Sequence, residues 1–198
     1  MLPQQETVGA AILDQGIYKG WHLGNTRHEA MTTELEWAMI RFEQAFQRFI
    51  MQLGSMCGLA DLSYAELVLL HVIRMQESPK TAAILARQLN MDGVTNIQYS
   101  LRKLLKLKLV NKIKGANSKI YTYDVTKTSS AMLDKYAQIR RDMLTDQTQH
   151  IEHIDKKLIE TAKLISMLTG IYDEASRISG TYSRTAIGDD GDSGRKTR

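Results

Sequence analysis

The stretch DGVTNIQYSLRKLLKLKLVNKIKGANSKIYTYD, residues 92–124, decides how this chain folds. Between its first and last positions there is no acidic residue. Its basic residues are Arg102, Lys103, Lys106, Lys108, Lys112, Lys114 and Lys119. A local excess of positive charge of this kind is typical of a surface that binds a polyanion.

The periodicity of this stretch changes midway. The first part predicts a helix that Asp92 caps and that runs to about Lys108. Its apolar face comprises Val94, Ile97, Leu101, Leu104 and Leu105, and its polar face comprises Thr95, Asn96, Gln98, Tyr99, Arg102, Lys103 and Lys106. The second part predicts a β-hairpin, because two β-rich runs, Val110 to Lys114 and Lys119 to Val125, flank the turn residues 115–118.

Helices are also predicted before this stretch. Ser63 with Glu66 forms a capping box for one helix, and Thr81 caps a shorter one. A longer helix begins at a capping box of Thr33 with Glu36. Three helices, a short turn and a hairpin make a winged helix-turn-helix, so we expect a mainly α fold with a small β-hairpin wing.

The predicted organisation has five segments. Residues 1–28 form an N-terminal arm, 29–60 a dimerisation or linking helix, 61–126 the winged helix-turn-helix, 127–178 the C-terminal dimerisation helices, and 179–198 a disordered tail. The apolar stripe of 127–178 is too long for a domain of this size to bury. We therefore expect a second subunit to cover the remainder.

The predicted polar face suits contact with double-stranded DNA. The major groove admits one α-helix, in which Asn96 and Gln98 could pair with adenine and Arg102 with guanine. Tyr99, Lys103 and Lys106 suit sugar and phosphate. On the hairpin, Lys112, Lys114 and Lys119 are placed for phosphate, and Asn117 and Ser118 for a minor groove. The alternative is a solvated face of an ordinary helical domain.

The composition narrows the class of protein. The chain has 198 residues, a formal net charge of +4 and one cysteine, Cys57, so an intrachain disulfide is excluded. No apolar run is long enough to span a membrane, and the start lacks the pattern of a signal peptide. These features favour a soluble cytoplasmic protein.

The chain resembles the MarR family of bacterial regulators over roughly residues 30–178. Leu62 to Glu66 match a Leu-Ser/Thr-x-x-Glu/Gln helix start, and Leu85-Ala86 match a Leu-Ala pair in the following helix. Leu104 to Val110 match a Leu-x-x-x-x-Leu-Val end of the recognition helix, and Val125-Thr126 match the step from wing to long helix.

The resemblance implies a homodimer that binds a pseudo-palindromic operator, with half-sites about 10 base pairs apart. It also implies a small, often aromatic effector in a crevice between the dimerisation helices and the winged domain. Here the candidates for that crevice are Phe42, Phe46, Leu67, His71 and Met75. The alternative is that these five side chains are ordinary core.

The chain departs from the family in the wing. Many members carry an Asp-x-Arg there, whereas residues 114–119 read KGANSK. The contacts of this wing are therefore open. The arm and the wing together resemble a subgroup of alphaproteobacterial regulators of cell-wall L,D-transpeptidase genes.

Other chemistry has little support. Cys57 could sense redox state, but its apolar surroundings favour an inert thiol. His150 and His153 are three residues apart on a helix without a third ligand, so no metal is expected. No nucleophile motif, phosphate loop or carboxylate pair appears, so neither enzyme activity nor a cofactor is expected. The competing functions are a winged-helix protein-interaction module and a ligand sensor that does not bind DNA.

Overall fold

In the computed structural model, residues 22–115 and 120–188 are described, with side chains up to Tyr182. The chain divides into two compact units, Met1–Arg140 and Arg141–Arg198. The first unit holds helices α1 (Arg27–Met56), α2 (Tyr64–Arg74), α3 (Ala82–Gln88), α4 (Thr95–Lys106) and α5 (Lys127–Arg140), and strands β1 (Lys80–Thr81), β2 (Val110–Lys114) and β3 (Tyr121–Val125). This mainly helical architecture with a small antiparallel wing confirms the predicted fold class.

Helix α1 starts earlier than the sequence analysis predicts. Its cap is Thr26, whose Oγ1 accepts from the backbone N–H of Glu29, while the Glu29 carboxylate accepts from the N–H of Thr26. Thr33, the predicted cap, lies buried inside the helix and donates to the Glu29 carbonyl. The prediction was wrong because two capping boxes occur in succession. No Gly or Pro interrupts the chain between them, so the helix extends back to the first.

The helix-turn-helix follows the predicted caps at two of its three helices. The Ser63 side chain accepts from the N–H of Glu66 to start α2, and Thr81 accepts from the N–H of Ile84 to start α3. The predicted cap at Asp92 is wrong. Val94 occupies the cap position of α4 and contributes no side-chain hydrogen bond.

The wing is a three-stranded sheet in the order β1-β3-β2. Strand β3 pairs with β2 from Val110↔Val125 to Lys114↔Tyr121, and with β1 at Lys80↔Tyr123 and Thr81↔Thr122. The sequence predicts the hairpin of β2 and β3 but not β1, which has only two residues. Through β1, the wing is joined directly to the start of α3.

The core of the first unit lies where the helices meet the base of the wing. Its fully buried side chains include Leu67, Leu70 and Ile73 of α2 and Leu101 and Leu104 of α4. Burial of apolar side chains such as these stabilises the domain. Their burial fixes which face of α4 points away from the protein.

Two close contacts hold α1 and α5 against the rest of the first unit. A Cβ placed on Gly54 of α1 would lie 2.6 Å from Leu67 Cδ2, so only glycine lets α1 and α2 approach this closely. Ser129 of α5, which is fully buried, donates to the carbonyl of Leu109 at 2.5 Å. That bond attaches α5 to the residue that precedes the wing.

The second unit is mainly one long helix. A π-helical turn, Arg141–Thr145, and a short helix, Asp146–Thr148, precede α6 (Ile154–Gly188). Turn residues 149–153 separate this short helix from α6. The predicted disorder from residue 179 is wrong up to Gly188, because α6 continues through Gly180. One interior glycine costs a helix only about 1 kcal/mol, and the Glu174–Arg177 pair stabilises the preceding turn. Residues 189–198 lie outside the described part of the chain.

Within the described residues, no helix combines the length and the apolar character that crossing a membrane requires.

Candidate nucleic-acid interface

Helix α4 separates its two faces as predicted. Ile97, Leu101 and Leu104 are buried in the core. The exposed side carries the six polar residues Thr95, Asn96, Gln98, Tyr99, Arg102 and Lys106. A helix can enter the major groove only if one side is anchored to the protein and the other offers donors. Helix α4 meets both conditions.

Tyr99 and Arg102 form a connected pair on this exposed surface. The Arg102 guanidinium carbon lies 5.9 Å from the centroid of the Tyr99 ring, within the range of a cation–π contact. The Tyr99 side chain is 66% exposed. Because the contact restrains the guanidinium, fewer of its conformations would have to be lost when it pairs with a base or a phosphate.

Lys103 behaves differently from the other predicted contacts on α4. Its Nζ donates at 2.7 Å to Oε2 of Glu66 in α2, and its side chain is only 37% exposed. Burial raises the pKa of Glu66, but the hydrogen bonds from Lys103 and Ser63 outweigh that effect and leave the pKa lowered. Glu66 is therefore ionised at neutral pH, and the Lys103 ammonium is directed to the Glu66 carboxylate of α2.

The wing presents part of its predicted cationic surface. Lys112 and Lys114 on β2 are exposed. The Lys112 ammonium lies 3.8 Å from the centroid of the Tyr121 ring, so the lysine makes a cation–π contact with β3. The other three predicted wing contacts, Asn117, Ser118 and Lys119, lie outside the described residues.

Lys80 is a buried cation at the base of the wing that the sequence analysis missed. The residue is 3% exposed, and its Nζ donates to the carbonyls of Ile73 and Ser78 at 3.1 and 3.0 Å and also to that of Met75. These carbonyls lie at and just beyond the C-terminal end of α2, where helices favour positive charge. A lysine just after Pro79 is typical of an exposed turn, so no sequence signal points to this role.

The five effector candidates do not form one group. Leu67 is fully buried in the core. Phe42 and Phe46 stack on each other with ring centroids 5.7 Å apart on an exposed side of α1. Only His71 and Met75 line a common cavity of about 270 Å³. Its remaining lining consists of Arg74, Leu133, Asp134, Tyr136 and Ala137.

His71 is the polar group of this cavity without a partner. Its Nε2 is buried and makes no hydrogen bond, and its ring meets that of Tyr136 edge-on at 4.4 Å. Burial, with smaller contributions from Arg74 and Arg140, lowers the pKa of His71 to about 4. Arg74 itself donates to the Ser130 carbonyl at 2.8 Å and pairs with Asp134 at 2.5 Å. At neutral pH the cavity thus contains the uncharged imidazole of His71 beside the guanidinium of Arg74, whose charge is balanced by Asp134.

The remaining candidates show no reactive arrangement. Cys57 is buried, and burial raises the pKa of its thiol despite the opposing effect of Lys135. In the described ranges, no three His, Cys, Asp or Glu side chains come close enough to hold a metal ion. His153 lies 3.3 Å from Glu152 on an exposed surface.

Comparison with known proteins agrees with this geometry. Residues 62–128 match the model of a family described as a winged helix DNA-binding domain. That range contains α2, α3, α4 and the wing. Comparison with curated proteins finds no significant match.

Solved structures resemble the chain over most of their own length. The transcriptional regulator BldR from Sulfolobus solfataricus is 19% identical, with 68% of this chain and 96% of BldR covered and a TM-score of 0.52. MosR from M. tuberculosis, solved in complex with DNA, is 17% identical, with 68% and 95% covered and a TM-score of 0.52. A MarR family transcription regulator is 13% identical, with 77% and 99% covered and a TM-score of 0.55. Residues 62–128 thus match a winged-helix DNA-binding domain, and the chain has the fold of the MarR-type transcriptional regulators.

Proposed function

We propose that this protein is a homodimeric, sequence-specific transcriptional regulator that reads its operator with α4. The observation that carries the proposal is the exposed side of α4, which bears amide, guanidinium and ammonium donors and no carboxylate. Its fold and the winged-helix match support DNA as the polyanion. The site of action would be the cytoplasm, where the operator would lie.

The exposed side chains divide by chemistry into base and backbone contacts. Arg102 can bond two acceptors of guanine, and Asn96 or Gln98 can do the same with adenine. Lys106 on α4 and Lys112 on β2 suit phosphate, which fixes the position of the protein without reading sequence. Each good base contact should contribute about 1–3 kcal/mol of discrimination.

The homodimer is supported by apolar side chains at both ends of the chain. On α1 these are Trp37, Ile40, Phe42 and Phe46, all exposed. On α6, Leu158, Leu164, Met167 and Ile171 are exposed. Apolar surface of this extent is typical of a protein–protein contact. Two subunits related by a two-fold axis would read a pseudo-palindrome with half-sites about 10 base pairs apart.

The decisive experiment recovers the operator and then reverses charge on α4. Genomic DNA captured by the purified protein would be sequenced, and the recovered fragment would be titrated against a mixed-sequence duplex. The variant R102E/K106E should lose at least about tenfold in affinity for the fragment, because one base contact alone is worth about 1–3 kcal/mol. Lys103 is left unchanged, since a carboxylate there would face Glu66.

The matched control is K156E/K163E, which reverses two charges on α6. This control should bind as the wild type does, and both variants should keep the wild-type oligomeric state. Wild-type affinity in R102E/K106E would refute the proposal. Equal affinity of the wild type for both duplexes would instead favour a protein-interaction module.

We also propose that a small aromatic effector modulates binding from the cavity beside His71. The cavity of about 270 Å³ and the unpartnered His71 Nε2 support a compact ligand with one hydrogen-bonding group. A panel of small aromatic carboxylates and phenols should raise the melting temperature of the wild type. The ligands should not raise the melting temperature of H71F. If they stabilise H71F as much as the wild type, the effector does not bind in this cavity.

The finer resemblance to regulators of L,D-transpeptidase genes also remains a proposal. It rests on the arm and the wing, and both 1–21 and 116–119 lie outside the described residues. Recovery of a fragment upstream of such a gene would support it. Recovery of unrelated promoters would refute it.

A further inference from the structure

We propose that Glu66 is the positioning residue of the recognition helix, and that it acts by holding Lys103 as a charge-neutralised strut between α2 and α4. This inference rests on the proposed DNA-binding function. It reassigns Lys103, because the sequence analysis predicts a phosphate contact there. It also predicts that Lys103 contributes to specificity but not to the salt dependence of binding.

The hydrogen bonds of the Glu66 carboxylate connect the start of α2 to α4. Oε2 of Glu66 accepts two hydrogen bonds of 2.7 Å, one from the backbone N–H of Ser63 and one from Lys103 Nζ. The first fixes the carboxylate to the start of α2. The second crosses to α4, 37 residues further along the chain. One carboxylate oxygen of Glu66 therefore links the capping box of α2 to the side of α4.

Burial of the Glu66 carboxylate distinguishes this ion pair from those on the surface. The Glu66 side chain is 6% exposed and the Lys103 side chain 37%, whereas both partners of the Arg41–Glu34 pair are more than a third exposed. A buried carboxylate is costly unless it is paired, so separation of Lys103 from Glu66 is unfavourable. Lys103 is consequently held in one place while Lys106, one turn further along the exposed side, is exposed.

The position of Lys103 on α4 explains what the strut controls. Ile97, Leu101 and Leu104 anchor the helix through apolar packing, which tolerates small rotations about the helix axis. Lys103 lies beside this anchor, on the side toward α2. A directional bond there fixes the rotation, and the rotation decides whether Arg102 and Asn96 reach base edges together.

The charge of the pair has a separate consequence. A lysine that neutralises a phosphate releases a condensed counterion, and each such contact steepens the dependence of log K on log salt by about 0.9. Lys103 already neutralises Glu66, so it should release none. When Glu66 is replaced by Gln, the capping box can survive, because Gln also accepts from the backbone at that position. The freed lysine then becomes an extra cation beside the DNA.

The experiment measures affinity against salt concentration for two probes, the captured operator fragment and a mixed-sequence duplex. On the mixed duplex, E66Q should steepen the slope by about 0.9, and K103M should leave the slope at the wild-type value. The variant E66Q/K103M should return to the wild-type slope. K106M is the matched control for a true phosphate contact and should flatten the slope by about 0.9.

The ratio of the two affinities tests the positioning role. Removal of the Lys103 ammonium breaks the strut, so K103M and E66Q/K103M should lower the preference for the operator by roughly fivefold or more, the equivalent of one good base contact. Thermal unfolding would check each variant, and E66Q/K103M keeps the test valid if K103M folds poorly with an unpaired buried carboxylate. A change in stability alone would not alter the number of counterions released.

Two results would overturn the inference. One is a flatter slope in K103M matching that of K106M, which would make Lys103 an ordinary phosphate contact. The other is an unchanged operator preference in E66Q/K103M, which would leave Glu66 as a cap only. Failure of the proposed function gives a different pattern, in which the wild type itself shows no preference for the operator fragment.

Discussion

The burial of His71 makes a quantitative prediction about stability and pH. The pKa of His71 is about 4 in the folded chain, against an ordinary value of 6.5, because burial disfavours the charged ring. Between these two values the unfolded chain binds a proton that the folded chain does not. Stability should therefore rise with pH through this window and be lost as pH falls from about 6.5 toward 4.

The magnitude follows from the same two pKa values. Each unit of pH between them is worth about 1.4 kcal/mol, so His71 should lower the free energy of unfolding by about 2 kcal/mol between pH 7 and pH 5. The coulombic effects of Arg74 and Arg140 on the pKa of His71 act in the same direction as burial.

The assay compares wild type with H71F by denaturant unfolding at both pH values. Phenylalanine keeps the ring beside Tyr136 and removes the titrating nitrogens, and the adjoining cavity gives it room. Protein concentration is held constant, since dimerisation would otherwise change the apparent stability. If both proteins lose the same free energy between pH 7 and pH 5, His71 is not buried as a neutral ring and the reasoning fails.

Three further substitutions test the packing and the buried polar contacts. G54A should lower the free energy of unfolding by about 1–3 kcal/mol, because its Cβ would meet the fully buried Leu67 at 2.6 Å. K80M should cost about 1–3 kcal/mol, since it removes the donor to carbonyls at the base of the wing. S129A should cost less, about 0.5–1.5 kcal/mol, because the carbonyl of Leu109 would lose one donor but keep the backbone N–H of Thr126. Thermal or denaturant unfolding measures all three.

Exposed positions provide the controls for these three substitutions. G170A lies where an added Cβ meets nothing within 4 Å, so it should be neutral or stabilising in helix α6. K112M should leave stability nearly unchanged, because Lys112 is exposed. Wild-type stability in G54A or K80M would contradict the packing described above, and a loss in S129A no larger than that in K112M would show that the bond to Leu109 is weak.

The features that the sequence predicts best depend on neighbouring residues. The cap at Ser63 involves Glu66, three positions later, and the apolar face of α4 repeats at helical spacing from Ile97 to Leu104. Such signals are local, so they survive without knowledge of the tertiary structure. The two neighbouring capping-box patterns, at Thr26 and Thr33, show the limit of this reasoning. Either pattern could start α1, and only the surrounding structure decides which one does.

The features that the sequence does not reveal depend on distant partners. In the sequence, Lys103 has the features of a phosphate contact, because it is a lysine on the polar face of a helix. Its partner Glu66 is 37 residues away along the chain, and only the fold brings the two together. Lys80 follows a proline in a predicted turn, yet it is buried against carbonyls from α2. The effector candidates separate for the same reason. The family resemblance places Phe42 and Leu67 in one crevice, whereas the fold exposes Phe42 on the surface and buries Leu67 in the core.

Strand β3 is the middle strand of the wing, and this has a consequence for how binding specificity can be altered. Its two sides are held by β2 and by β1, and β1 leads directly into α3. The base of the hairpin is thus built into the scaffold, and residues 116–119 join β2 to β3 in the sequence. An exchange of these four residues, or a longer insert, should leave α4 and its core contacts in place. The wing would then act as an interchangeable part, suited to loop grafting or selection for new operators without repacking of the domain.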